Sequence, residues 1–137
     1  MFIPLPKQTV LVPSGPISDP EKKHLFVLLT EPFSCGGNPA STVIVSFRTA
    51  YPDLKYDNSC IINAGEHKFV TRLTYVDYAK SRIIEIDKLI NAVNTRTFVA
   101  YPPVSDALFS RIATGFCTSP YTPQNVHDFY IGATFQP

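Results

Sequence analysis

The chain has 137 residues, the size of one ordinary domain. Hydrophobic residues make up 45% and charged residues 17%, which excludes a disordered chain. A net charge of +1 excludes a bulk polyanion-binding surface, so any nucleic-acid contact has to come from a local patch. Cys35, Cys60 and Cys117 are far apart and form no C-x-x-C pair, so neither a zinc ribbon nor a redox dithiol is suggested. Reduced thiols of a cytoplasmic protein are the plain reading. The apolar N-terminus is short and broken by Pro4 and Pro6, and no run has the length of a membrane span. A soluble, cytoplasmic protein with no membrane partner is expected.

Gln8 to Val12 (QTVLV) is β-branched and stopped by Pro13, so it reads as the first strand. The charged segment up to Lys23 reads as a loop. His24 to Thr30 (HLFVLLT) is a continuous apolar run halted at Glu31-Pro32, the pattern of a strand buried on both faces. Ser41 to Thr49 (STVIVSFRT) is the strongest strand signal, with Val43, Val45 and Phe47 pointing one way and Ile44, Ser46 and Arg48 the other. Ser59 to Asn63 predicts a further strand, with a partner beginning at Lys68 to Val70. Leu73 to Lys80 fits a strand or a helical turn equally well, and Arg82 to Ile86 predicts the last barrel strand. The stretch from Asp53 to Tyr101 holds none of the thirteen prolines, so continuous structure is expected there.

Asp87 can cap a short helix through Val93. Ser105 is a second candidate N-cap, followed by Leu108, Ile112 and Phe116 at four-residue spacing. A final helix is predicted from Pro123 to Tyr130. The strands lie too close together for crossover helices, which excludes a parallel sheet. The expected fold is therefore mainly β, of the α+β kind: one domain over 1–137, with a small barrel over about 8–86 and a helical part over about 87–133.

No P-loop, dinucleotide-binding glycine pattern, nucleophile elbow, zincin helix or calcium loop is present. Reactive residue types instead gather at strand ends. His24 and His67 are candidate acids or bases, because imidazole exchanges its proton near neutral pH. His67 lies in the turn Asn63 to Phe69, where it could equally bond a nearby carbonyl; His24 could equally be a surface residue at a strand start. Arg48 can grip a phosphate with its planar fork, and the Thr49 hydroxyl can hydrogen-bond one. Tyr51, Tyr56, Tyr75 and Tyr78 are interleaved with Lys55, Lys68, Arg72 and Lys80, a mixture that suits stacked single-stranded nucleic acid or an ordinary barrel surface. Cys60 reads as a packing residue or, alternatively, a nucleophile. No metal site or cofactor is expected, since the spacing of His24, Cys60 and His67 does not demand zinc.

The order of these elements and several segments resemble the MazF/PemK toxin family: QTVLVPSGP, HLFVLLTEP, STVIVSFRT, and CIINAGEHKFV leading to YAKSRIIEID. The resemblance covers roughly residues 8 to 115. Within it, the pattern Cys…Gly-Glu-His-x-Phe…Tyr-Val-x-Tyr looks most like uncharacterised bacterial members that share the toxin fold. It implies an SH3-like barrel, a homodimer, an antitoxin-like protein partner, and a groove that cleaves single-stranded RNA without metal. Thr49 matches the hydroxyl residue that ends a strand in such toxins, whereas His24 stands where they carry arginine. The resemblance then implies catalysis by His24, Thr49 and His67, with Arg48, Arg72 and Tyr75 holding substrate. A non-catalytic module that binds a protein partner in the same groove is the alternative.

Overall fold

The computed structural model describes residues 2–15, 18 and 22–135. The early apolar runs become strands β1 (Thr9–Pro13), β2 (Lys23–Leu28) and β3 (Ser41–Thr49). They are followed by β4 (Ile61–Ile62), β5 (Thr74–Glu85), α1 (Ile86–Asn94), β6 (Val99–Tyr101), α2 (Asp106–Thr118) and α3 (Gln124–Thr134). All strands join one antiparallel, curled half-barrel sheet in the order β4-β5-β3-β2-β1-β6. The mainly β, α+β class expected from the sequence is the class observed.

Several expected boundaries differ, each for a local reason. The segments expected separately over Leu73 to Lys80 and Arg82 to Ile86 form one strand, β5, from Thr74 to Glu85. Ile86 already opens α1, with Glu85 rather than Asp87 at the N-cap. β5 pairs with β3 on both sides of a bulge, where Ser46 faces Asp77 but Ile44 faces Arg82. The strand expected from Ser59 to Asn63 shrinks to two residues. Its flanking amides turn to side chains instead of a ladder, since Asp57 Oδ1 accepts from the Ser59 N–H (2.9 Å) and Glu66 Oε2 from the Asn63 N–H (2.7 Å). Lys68 to Val70 forms no strand, because this segment folds into a turn closed by the Val70 N–H on the His67 carbonyl (2.9 Å). The segment assigned to the helical part also contributes β6, which pairs Tyr101 with Thr9 and ends at Pro102-Pro103.

The sheet is buried on both faces, as the unbroken apolar run of β2 requires. On one face Leu25, Val27, Val43, Val45, Val76 and Tyr78 pack against Leu108, Ile112 and Phe116 of α2 and Val126 of α3. On the other, Val10, Val12, Phe26, Leu28 and Ile44 pack around Leu89 of α1. Helix α2 starts where expected: the Ser105 hydroxyl accepts from the Leu108 N–H (3.1 Å). These layers leave the start of β2 and the end of β3 side by side at one end of the sheet.

Candidate functional site

At that end a groove of about 490 Å³ opens between the start of β2, the end of β3, the loop after β3 and the segment leading into β5. Its position follows from register. Val12 pairs with His24 and Arg48 with Tyr75. Carrying the Phe26↔Ser46 pairing of β2 and β3 two residues further brings Arg48 alongside His24. Because side chains alternate along a strand, His24, Arg48 and Tyr75 then share one face and one lateral row. Neighbouring strands thus bring together residues that are far apart in sequence.

His24, Thr49, Arg48, Arg72 and Tyr75 all line this groove. His67 does not. It is buried beneath the Asn63 to Val70 turn, with Nε2 donating to the Pro102 carbonyl (2.7 Å) and Nδ1 accepting from the Phe69 N–H (3.0 Å). Both ring nitrogens therefore have protein partners, and the ring ties the turn to the chain after β6. The same residue type at a turn served to satisfy a carbonyl rather than to face solvent. Of the interleaved aromatics and cations, Tyr51, Tyr56, Tyr75, Lys55 and Arg72 reach the groove, while Tyr78 lies fully inside the core.

Lys22 and Lys23 also line the groove; the charged loop expected up to Lys23 stops one residue earlier, because Lys23 pairs with Pro13 and opens β2. Their adjacency to His24 was the available signal. Among the described lining residues there are five cations (Lys22, Lys23, Arg48, Lys55 and Arg72) and no carboxylate. On a chain of net charge +1 this is a concentrated positive field, which draws anions into a cleft. The nearest anion is Asp77, whose Oδ2 lies 3.0 Å from Arg48 Nε, a charge contact not aligned as a hydrogen bond. It anchors the guanidinium through one edge and leaves the terminal nitrogens for a ligand. Tyr56 stacks on Tyr75 with ring centres 5.1 Å apart and planes at 24°, forming an aromatic wall.

His24 is buried to 9% exposure, and its Nδ1 lies 2.7 Å from the Ser14 hydroxyl. Burial, then the charges of Arg48 and Lys22, lower its pKa from the ordinary 6.5 to about 4. The ring is therefore neutral at pH 7 and available as a proton acceptor. Tyr75 shifts the other way: burial, then Asp77, raise its pKa, so the phenol stays protonated. The depressed His24 pKa has a stability consequence. An unfolded chain takes up this proton near 6.5 and the folded one only near 4, so the contribution is complete above 6.5 and is lost as pH falls towards about 4. Urea midpoints at pH 7.5 and 4.5 should therefore show His24→Gln losing less stability on acidification than the native chain, by at most about 3 kcal/mol. Equal losses in the two proteins would contradict the assigned environment.

Cys60 is buried in the core, where burial pushes its thiol up in pKa and keeps it protonated. It packs beside Gly115 and is not a groove residue. Among the described residues no group of three or more His, Cys, Asp or Glu could hold a metal ion. No helix of the described residues is long and apolar enough to cross a membrane. What the groove can do chemically is hold an anion against Arg48, stack a planar group on its tyrosine wall, and offer a neutral imidazole to a proton beside that anion. Comparison of the chain with family models, curated proteins and solved structures gives no match, so the groove's own chemistry carries the functional argument.

Proposed function

We propose that the groove binds single-stranded RNA and cleaves it as a metal-independent endoribonuclease of the MazF/PemK-like kind. The observation that carries the reading is the neutral, buried His24 set beside Arg48 in a groove whose described walls are cationic and aromatic. A single-stranded backbone supplies the anion, and its unstacked bases suit the Tyr56–Tyr75 wall. RNA rather than DNA fits the chemistry because it brings its own nucleophile, the 2′-hydroxyl.

In the proposed reaction His24 Nε2 takes the 2′-hydroxyl proton while the 2′-oxygen attacks the adjacent phosphorus. The bond from phosphorus to the 5′-oxygen breaks, and that oxygen takes a proton from water. The products are a 2′,3′-cyclic phosphate and a 5′-hydroxyl end. Arg48 carries the charge that accumulates on the non-bridging oxygens, and the Thr49 hydroxyl donates to one of them. A base of pKa about 4 is weak; burial, the larger cause of the depression, stays in place, and bound phosphate opposes only the Arg48 and Lys22 charges, which moves the pKa upward in part. Arg72 and Lys55 hold the flanking backbone. His67, engaged on both nitrogens, takes no part.

The test is incubation of the purified protein with a fluorescent single-stranded RNA in the presence of chelator, with anisotropy read in parallel. Cleavage to cyclic-phosphate ends is expected. Affinity for a non-cleavable 2′-deoxy strand should fall with salt at a log–log slope of about −3, as for roughly four or five neutralised phosphates. RNA left intact at high enzyme excess removes the catalytic reading. A second reading rests on Tyr51 and Leu54, which stand 46% and 61% exposed at the groove. Such apolar tips suit a protein ligand, such as an antitoxin-like peptide. It predicts salt-insensitive capture of a peptide, lost in Leu54→Asp and retained in His24→Ala. We place the protein in the cytoplasm, acting as a homodimer.

A further inference from the structure

We propose that Ser14 is a positioning residue that fixes the His24 ring with Nδ1 protonated and the Nε2 lone pair directed into the groove. Its catalytic consequence rests on the reading of His24 as the base; its structural content stands apart from that reading. Ser14 follows β1 directly, and its N–H donates to the Lys22 carbonyl (2.8 Å), which extends the β1–β2 ladder beyond the Pro13↔Lys23 pair. The backbone of Ser14 is thus held beside the start of β2. From there its Oγ reaches His24 Nδ1 at 2.7 Å.

A hydroxyl has one proton and two lone pairs. The Ser14 hydroxyl is aligned to donate to the Val12 carbonyl at 3.1 Å, so the lobe facing the ring is a lone pair that receives Nδ1–H. The surrounding charges favour the same tautomer. Lys22 on the chain entering β2 and Arg48 on β3 are the cations whose fields reach the ring. Asp77 on β5 is occupied by Arg48, and the chain leaving β1 offers the ring the Ser14 hydroxyl. An N–H aimed from Nε2 towards these cations would be repelled, whereas a lone pair is attracted. Nε2 has no hydrogen-bond partner among the described residues, so it remains open to a proton from a bound ligand.

The tautomer can be read directly by long-range proton–nitrogen NMR on the full chain carrying isotope-labelled histidine, at neutral pH. The native protein should show Nδ1 protonated and Nε2 bare for His24. Ser14→Ala should shift His24 towards the Nε2–H form, and Ser14→Thr, which keeps the hydroxyl, should hold the native form. With RNA, Ser14→Ala should lower kcat about tenfold to a hundredfold, a part of what a positioned base supplies, with KM within about twofold of native and recovery in Ser14→Thr. A native His24 already in the Nε2–H form would overturn the proposal whatever the variants do. So would a Ser14→Ala protein whose His24 tautomer is unchanged. The expected tautomers in a protein that leaves RNA intact would support the role of Ser14 and remove the ribonuclease reading, so the two failures are distinguishable.

Discussion

On the proposed mechanism, RNA cleavage should fall by about 10²–10⁴-fold in His24→Ala and by about 10²–10³-fold in Arg48→Ala, with both proteins folded at pH 7.5. The two losses have different causes and should differ in form. His24→Ala removes the proton acceptor without touching the cations that hold the strand, so kcat falls while affinity for a 2′-deoxy analogue stays near native. Arg48→Ala removes a phosphate contact and also frees Asp77, whose side chain is only 14% exposed. An unpaired carboxylate beside the groove repels the phosphate, so binding and kcat both suffer. Adding Asp77→Asn should then restore binding but not cleavage. Arg48→Lys retains charge yet loses the planar fork, and recovers affinity more than kcat. Native cleavage by His24→Ala at saturating RNA would sink the proposed mechanism, because no other described groove residue offers a neutral imidazole.

The pH profile separates the same alternatives. In the ligand-free protein His24 titrates near 4, so on the proposed mechanism kcat/KM should be level from about pH 8 to about pH 5 and decline only below that. Bound phosphate raises the same pKa, so the acid limb of kcat should lie at higher pH than that of kcat/KM. An acid limb of kcat/KM near 6.5 would indicate a solvated imidazole rather than one buried beside Arg48 and Lys22.

Elements whose residues decide their own conformation were readable from sequence. β3 showed through its β-branched and apolar run from Thr42 to Phe47, and α2 through Ser105 and the spacing of Leu108, Ile112 and Phe116. The bulge that makes β5 one strand was not readable, because it is a property of the pairing with β3 and leaves no mark on either segment alone. β6 was missed for a similar reason: three residues form a strand only because the β1 edge is there to pair with them. Of the candidate site residues, His24, Arg48 and Thr49 stood out as reactive types at strand ends, Arg72 and Tyr75 as part of the interleaved cations and aromatics, and all five share a groove. His67 looked equivalent in sequence. What set it apart was the Pro102 carbonyl, thirty-five residues away in the chain and 2.7 Å away in space. Ser14 carried no signal at all, since only the Val12↔His24 pairing places it beside the ring.

Making the α2–β5 contact either larger or smaller should destabilise the protein, and the smaller change tests the fold more sharply. Phe116 is fully buried and meets Tyr78 and Tyr130 ring to ring, so Phe116→Ala should cost about 3–5 kcal/mol through lost burial and the cavity left behind. Gly115→Ala adds a single methyl within α2, a change that in a free helix stabilises by about 1 kcal/mol. Here a Cβ would stand 2.3 Å from Tyr78 Oη, 2.9 Å from its Cζ and 3.0 Å from Cys60 Cβ. Tyr78 is wholly buried and its hydroxyl donates to the Ile112 carbonyl at 2.7 Å, so the ring cannot yield without losing that bond. Overpacking and the lost hydrogen bond together outweigh propensity, and Gly115→Ala should be destabilised by about 2 kcal/mol. Tyr78→Phe removes the atom in closest conflict, so the double variant should be more stable than the sum of the two single losses by about 1 kcal/mol. Chemical denaturation of the four proteins measures this coupling. Strict additivity, or a Gly115→Ala protein more stable than native, would mean that α2 does not press its glycine face onto Tyr78 of β5, and the packing of that helix on the sheet would have to be redrawn.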